Sequence, residues 1–144
     1  MCGGSLLSSE TVLIAAHCVA PPNLLTNLPI YLSKENMSVV VGDLTQSIEE
    51  GTEQILQVKD ISIHPDYYKN EKNPVDKDFA IIKLATEVKF TNYVNPICLP
   101  PKTKNFDSVE AKASGWGRTS GNAADWEGSK SDILQKVSKS FGSP

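Results

Sequence analysis

The chain has 144 residues, of which 40% are hydrophobic and 22% charged, with a formal net charge of −3. This is the composition of an ordinary globular protein, long enough to bury a core, and it excludes collagen-like and disordered classes. The charges are scattered rather than blocked, which argues against nucleic acid or an anionic membrane as the main partner. The longest apolar run, Val12 to Ala16, is far too short to span a bilayer.

Apolar positions come in short runs, not at helical spacing over long windows. Gly4 to Ser8 and Thr11 to Ala16 read as two strands joined by a tight polar turn. Val39-Val40-Val41-Gly42 is β-branched and ends at a turn signal. Ile61 and Ile63 alternate with Asp60, Ser62 and His64, as in a half-buried strand. Phe79 to Leu84 is a compact run suited to a buried strand, and Val109 to Ser114 and Ile133 to Val137 are weaker candidates. Many short strands punctuated by Gly and Pro predict an all-β barrel or sandwich. Two connections are long: Val19 to Ser38, with Pro21, Pro22 and Pro29, and Tyr68 to Asp76, rich in Lys and Asn. Stretches of this length inside a compact domain are usually functional loops or the sign of a mistaken element assignment.

The chemistry-bearing residues are few. His17 stands in Ile14-Ala15-Ala16-His17-Cys18, and Asp78 opens Asp78-Phe79-Ala80-Ile81-Ile82-Lys83-Leu84. Taken singly, His17 reads as a structural histidine and Asp78 as the cap of the preceding loop. Cys2, His17, Cys18 and His64 lack the Cys-x-x-Cys or paired-His spacing of a zinc site, so no metal and no cofactor is expected. Asn36-Met37-Ser38 is the one glycosylation acceptor pattern, making Asn36 a candidate for modification.

The order of the motifs joins these residues. Cys2-Gly3-Gly4-Ser5-Leu6-Leu7, the Ala-Ala-His-Cys run, His64-Pro65-Asp66-Tyr67, the Asp78 strand, Asn95-Pro96-Ile97-Cys98-Leu99-Pro100 and Ser114-Gly115-Trp116-Gly117 follow one another along the chain. In this order they resemble the first half of a chymotrypsin/trypsin-type serine protease. The resemblance implies an all-β, trypsin-like antiparallel barrel in a truncated two-barrel architecture. Residues 1–105 would form a six-stranded first barrel lacking part of its first strand, and 106–144 the incomplete start of the second. His17 would be the general base and then the general acid. Asp78 would orient its ring, in the His, Asp, Ser order this family uses. His64 would be structural, and Trp116 would sit in a close-packed turn at the domain junction.

The same resemblance implies a Cys2–Cys18 disulfide; such a bridge closes a loop of about 15 residues, worth about 3 kcal/mol on the chain-entropy estimate. The alternative is three buried free thiols. With that pair made, Cys98 is left over and is expected to pair outside this chain. Disulfides place the family outside the cell, so the protein is expected to be extracellular, although no signal peptide precedes Cys2.

The chain also departs from the pattern. No Gly-Asp-Ser-Gly occurs, and neither Ser140 nor Ser143 has the right neighbours to stand in for the nucleophile. The expected function is therefore a serine-type endopeptidase acting on protein or peptide substrates. It is expected here as a fragment inactive by itself, without the nucleophile, oxyanion hole and specificity pocket. The alternative is a non-catalytic homologue acting as a binding or regulatory module.

Overall fold

A computed structural model describes residues 1–23, 25–26, 28–68, 76–103, 105–106, 109–119 and 130–141. Among these residues there are seven β-strands, two short 3-10 turns and no α-helix. The chain divides into two compact units, Met1–Gly42 with Glu53–Cys98, and Asp43–Thr52 with Leu99–Pro144.

The first unit is built on a five-stranded antiparallel sheet in the order β1-β2-β5-β4-β3. Its strands are β1 (Gly4–Ser8), β2 (Thr11–Ile14), β3 (Ser38–Val41), β4 (Gln54–Ile63) and β5 (Ala80–Leu84). β1 and β2 form a hairpin in which Gly4 faces Ile14. A Cβ at Gly4 would lie 2.9 Å from the Val12 side chain and 3.0 Å from the Leu13 carbonyl oxygen, so only glycine lets the two strands approach this closely here. The predicted strand over Thr11 to Ala16 stops at Ile14. Its last residues turn away into a 3-10 turn, Ala16–Cys18, because the Cys18 and Val19 N–H groups bond back to the Ala15 and Ala16 carbonyls.

β5 is the centre of the sheet. It pairs with β2 from Thr11↔Lys83 to Ile14↔Ala80, and with β4 as far as Ile63↔Ala80. Ala80, Ile82 and Leu84 are buried, while Lys83 between them is exposed; this is the period-2 pattern of a strand with one face on the core. β4 breaks that pattern. Its register shifts between Val58 and Asp60, so the inward positions change from Leu56 and Val58 to Ile61 and Ile63. The extra residue at a β-bulge produces this change of parity. The bulge explains why only the Ile61–Ile63 end of a ten-residue strand could be read from alternation. Val12, Ala16, Val19, Ala20, Tyr67, Val88 and Val94 complete the core.

The long connection after His17 is ordered where it is described. Pro22 and Pro29 form an isolated bridge, the Asn23 side chain accepts from the Leu25 and Thr26 N–H groups, and a 3-10 turn covers Lys34–Asn36. Most of the second long connection, residues 69–75, lies outside the described residues.

The second unit contains a two-stranded ladder, β6 (Val109–Gly115) with β7 (Gln135–Phe141). β7 lies later than the predicted Ile133–Val137 strand. Ile133 instead makes an isolated bridge with Thr45, and the Leu134 N–H bonds to the Leu44 carbonyl. The indole N–H of Trp116 donates to the same Leu44 carbonyl at 3.0 Å.

Candidate active site

The sheet delivers two segments to one place. The β2–β5 ladder ends at Ile14↔Ala80, so His17 stands three residues past the pair on one strand and Asp78 two residues before it on the other. The turn that carries His17 packs closely because the side chain of Ala16 is a single methyl group, fully buried, and Cys18 is bonded to Cys2. That disulfide, with Cα atoms 6.1 Å apart, ties the turn to the residues just before β1 and leaves Cys98 as an exposed free thiol.

On the other segment Lys77 has φ 57°, the left-handed region that a side chain with a Cβ adopts at a cost. Its carbonyl accepts from the Phe79 N–H at 2.8 Å, bending the chain around Asp78. The carboxylate then meets His17 twice. The His17 backbone N–H donates to Oδ1 at 2.8 Å, and the ring Nδ1 lies 2.6 Å from Oδ2. One oxygen fixes the backbone of the histidine and the other fixes its ring.

This geometry decides the protonation pattern. An ionised carboxylate only accepts, so Nδ1 carries the hydrogen and the neutral ring keeps its lone pair on Nε2. Burial pushes the Asp78 carboxyl up, but the His17 ring, the His17 N–H, the histidine's charge and the Ala16 N–H together outweigh it and hold the carboxyl below its ordinary value. Asp78 is thus ionised at neutral pH. Its side chain is 23% exposed while that of His17 is 51% exposed, so the carboxylate is shielded and the imidazole reaches water. An imidazole held in this tautomer by a shielded carboxylate can take a proton at Nε2 and carry the resulting charge.

The other predicted residues fall as follows. The ligand atoms of Cys2, His17 and Cys18 lie within 4.8 Å of one another, but both sulfurs are consumed in the disulfide and have no thiolate to offer a cation. His64 is away from the dyad's hydrogen bonds: its Nδ1 accepts from the Asp66 N–H at 3.1 Å, and its ring packs edge-on against Phe79 with centroids 4.6 Å apart. It caps the turn behind Asp78. Asn36 is exposed at the end of its 3-10 turn. Ser143 and the side chain of Ser140 lie outside the described residues. The His64–Tyr67 turn also bonds to residues beside the pair: the Phe79 carbonyl accepts from the His64 N–H, and the Ala20 carbonyl, which no motif singles out, accepts from the Tyr67 hydroxyl.

Known proteins resemble the chain in sequence and in fold. The family model described as Trypsin matches residues 1–144. Serine protease SSP1 of Scolopendra subspinipes is 37% identical over 119 residues, 83% of this chain and 38% of that protein. Ovochymase-2 of Mus musculus is 35% identical over 83% of this chain and 18% of its own length; Trypsin-3 of Salmo salar is 32% identical over 87% and 45%. A solved structure of GrC superposes with a TM-score of 0.76 at 27% identity, covering 99% of this chain and 53% of that one. The chain therefore spans about half or less of the length of these relatives. The described strands are all antiparallel, as a trypsin-like barrel requires. From its motifs, its antiparallel sheet and a match along its whole length, the chain belongs to the trypsin family of serine proteases.

Proposed function

We propose that His17 and Asp78 are two of the three catalytic residues of a serine-type endopeptidase. In this reading His17 Nε2 takes the proton of an attacking serine and returns it to the leaving amine. Asp78 holds the ring in the Nδ1–H tautomer and stabilises the imidazolium formed in between. The observation that carries the reading is the double contact of Asp78 with His17, at 2.8 Å to the backbone and 2.6 Å to the ring. A homologue serving only as a binding module has no chemical need of that pair.

The division into a first barrel over residues 1–105 and the start of a second over 106–144 belongs to the same proposal. It is supported by a five-stranded sheet that ends at Leu84 and a ladder that begins at Val109. No Gly-Asp-Ser-Gly is present, so residues 1–144 by themselves supply the base and its partner without a nucleophile, and they do not hydrolyse peptides. An extracellular setting is supported by the Cys2–Cys18 disulfide. The Cys2–Cys18 bridge lies within the chain and Cys98 is a free, exposed thiol, and exposed Asn36 supports glycosylation at that residue.

Fluorophosphonate labelling tests the assignment. The 144-residue chain is expected to stay unlabelled. The same residues followed by a family second barrel carrying Gly-Asp-Ser-Gly are expected to label, and to lose labelling with His17→Ala. Labelling that survives His17→Ala sinks the assignment.

A further inference from the structure

We infer that Tyr67 is a positioning residue for the dyad: its buried hydroxyl pins the turn that carries His17 to the segment that carries Asp78. The inference rests on the proposed roles of His17 and Asp78 and adds the element that holds them in register.

The need for such an element follows from the topology. The β2–β5 ladder fixes the two strands only as far as Ile14↔Ala80, and both functional residues lie beyond that last pair. Past it, the backbones diverge into a 3-10 turn on one side and a left-handed bend at Lys77 on the other. A displacement of about 1 Å at a catalytic pair is costly, so two diverging loops require a tie behind the reacting groups.

Tyr67 supplies one. Its side chain is 6% exposed, and its hydroxyl donates to the Ala20 carbonyl at 3.1 Å across 47 positions of sequence. Ala20 is fully buried, and its own N–H donates to the Ala16 carbonyl at 2.8 Å, closing the turn next to His17. At the other end the Tyr67 N–H donates to the His64 carbonyl, and the His64 N–H donates to the Phe79 carbonyl at 3.1 Å. Phe79 follows Asp78 directly and packs its ring against His64. The contacts form a closed circuit: Asp78, Phe79, His64, Tyr67, Ala20, Ala16 and His17, completed by the bond from His17 back to Asp78. In such a circuit the position of the carboxylate and the position of the imidazole are no longer independent.

The electrostatics are consistent with the geometry. Burial, and then the charge on Asp78, raise the Tyr67 phenol above its ordinary value, so it stays protonated and keeps donating across the working range of a serine protease. A phenylalanine would fill the same core volume but could not make the bond to the Ala20 carbonyl beside the His17 turn.

The test uses the 15N-labelled 144-residue chain and reads solvent exchange of the His17 Nδ1–H proton by NMR. Tyr67→Phe keeps the ring and removes the hydroxyl. It is expected to speed that exchange about tenfold, the order expected for losing one buried hydrogen bond. Tyr68→Phe, the neighbouring ring packed edge-on at 5.4 Å, is expected to leave it unchanged. Asp78→Asn is the reference and should abolish the Nδ1–H signal. If Asp78→Asn abolishes it while Tyr67→Phe leaves exchange at the parent rate, Tyr67 is only a core residue and the inference fails alone. If Asp78→Asn has no effect, the dyad bond itself is absent and the proposed function fails with it. Should Tyr67→Phe not fold, 3-fluorotyrosine at position 67 keeps every core atom and is a stronger donor. Exchange is then expected to slow, and an unchanged rate overturns the inference.

Discussion

Replacing Asp78 by Asn separates the two jobs the carboxylate performs. The amide keeps an oxygen able to accept from the His17 N–H, now held at 2.8 Å by Oδ1, but it sets an NH2 group against the ring nitrogen that Oδ2 meets at 2.6 Å. The bond from the His17 N–H then ends on a neutral acceptor, and the ring bond reverses, with the amide NH2 donating to an unprotonated Nδ1. On the usual contributions of about 1.5–3 and about 0.5–1.5 kcal/mol, that loses about 2 kcal/mol. The neutral amide is cheaper to bury than the carboxylate, which returns part of it and leaves a net loss of about 1 kcal/mol. For a chain of this size the loss corresponds to about 3–4 °C in Tm at neutral pH.

The pH dependence gives the prediction its sign. Asp78 has a folded-state value lowered below its ordinary one, so the folded protein binds that proton less readily than the unfolded chain. The stabilisation is therefore complete above the unfolded carboxyl value of about 3.9 and is lost as pH falls below it through the folded value. Thermal unfolding of the parent and Asp78→Asn, followed by circular dichroism from pH 8 to pH 2, should show a gap that is present down to about pH 4 and then closes. A gap that persists unchanged to pH 2, or no gap at pH 7, refutes the reasoning. In a version carrying the nucleophile, the tautomer switch should lower kcat about 10⁴-fold, the size of effect known for the same substitution in a trypsin-type protease.

Other outcomes follow from the scaffold. Replacing Cys2 and Cys18 by Ser removes a link spanning 16 positions and should cost about 3 kcal/mol in urea unfolding; an unchanged midpoint would mean the turn holds without it. Gly4→Ala puts a Cβ 2.9 Å from Val12 and 3.0 Å from the Leu13 carbonyl, and should destabilise by about 1–3 kcal/mol, whereas Gly3→Ala, with open space around it, serves as the neutral control. Lys77→Gly relieves a left-handed residue and should raise stability by about 1 kcal/mol in the same assay. A loss of stability there would show that the Lys77 side chain contributes more than its backbone costs.

The legible parts of the fold are those where a short apolar or β-branched run ends at a turn signal. β5 announces itself as the compact run from Phe79 to Leu84, and β1, β3 and β6 are found close to their observed ends. β4 is half hidden because its bulge changes parity, and because Ile55 points an apolar side chain outward at 71% exposure. Ala15 and Ala16 continue an apolar run in sequence but leave the strand, since backbone bonds of the next turn compete with the ladder. Residues 43–52 gave no hint that they pair with Asp132, Ile133 and Leu134, contacts made across most of the chain. His17 and Asp78 could be singled out only through the order of the surrounding motifs, because neither residue type carries local information about a partner so distant. The tie from Tyr67 to Ala20 was out of reach for the same reason: a hydroxyl meeting a backbone carbonyl leaves no mark on the residue that supplies the carbonyl.

The account stands on one proton. In the neutral imidazole of His17, 15N chemical shifts should place the hydrogen on Nδ1, with Nε2 showing the shift of an unprotonated, pyridine-type nitrogen. A hydrogen found on Nε2, or shifts averaged between the two tautomers as in a free histidine, would mean that Asp78 does not orient the ring.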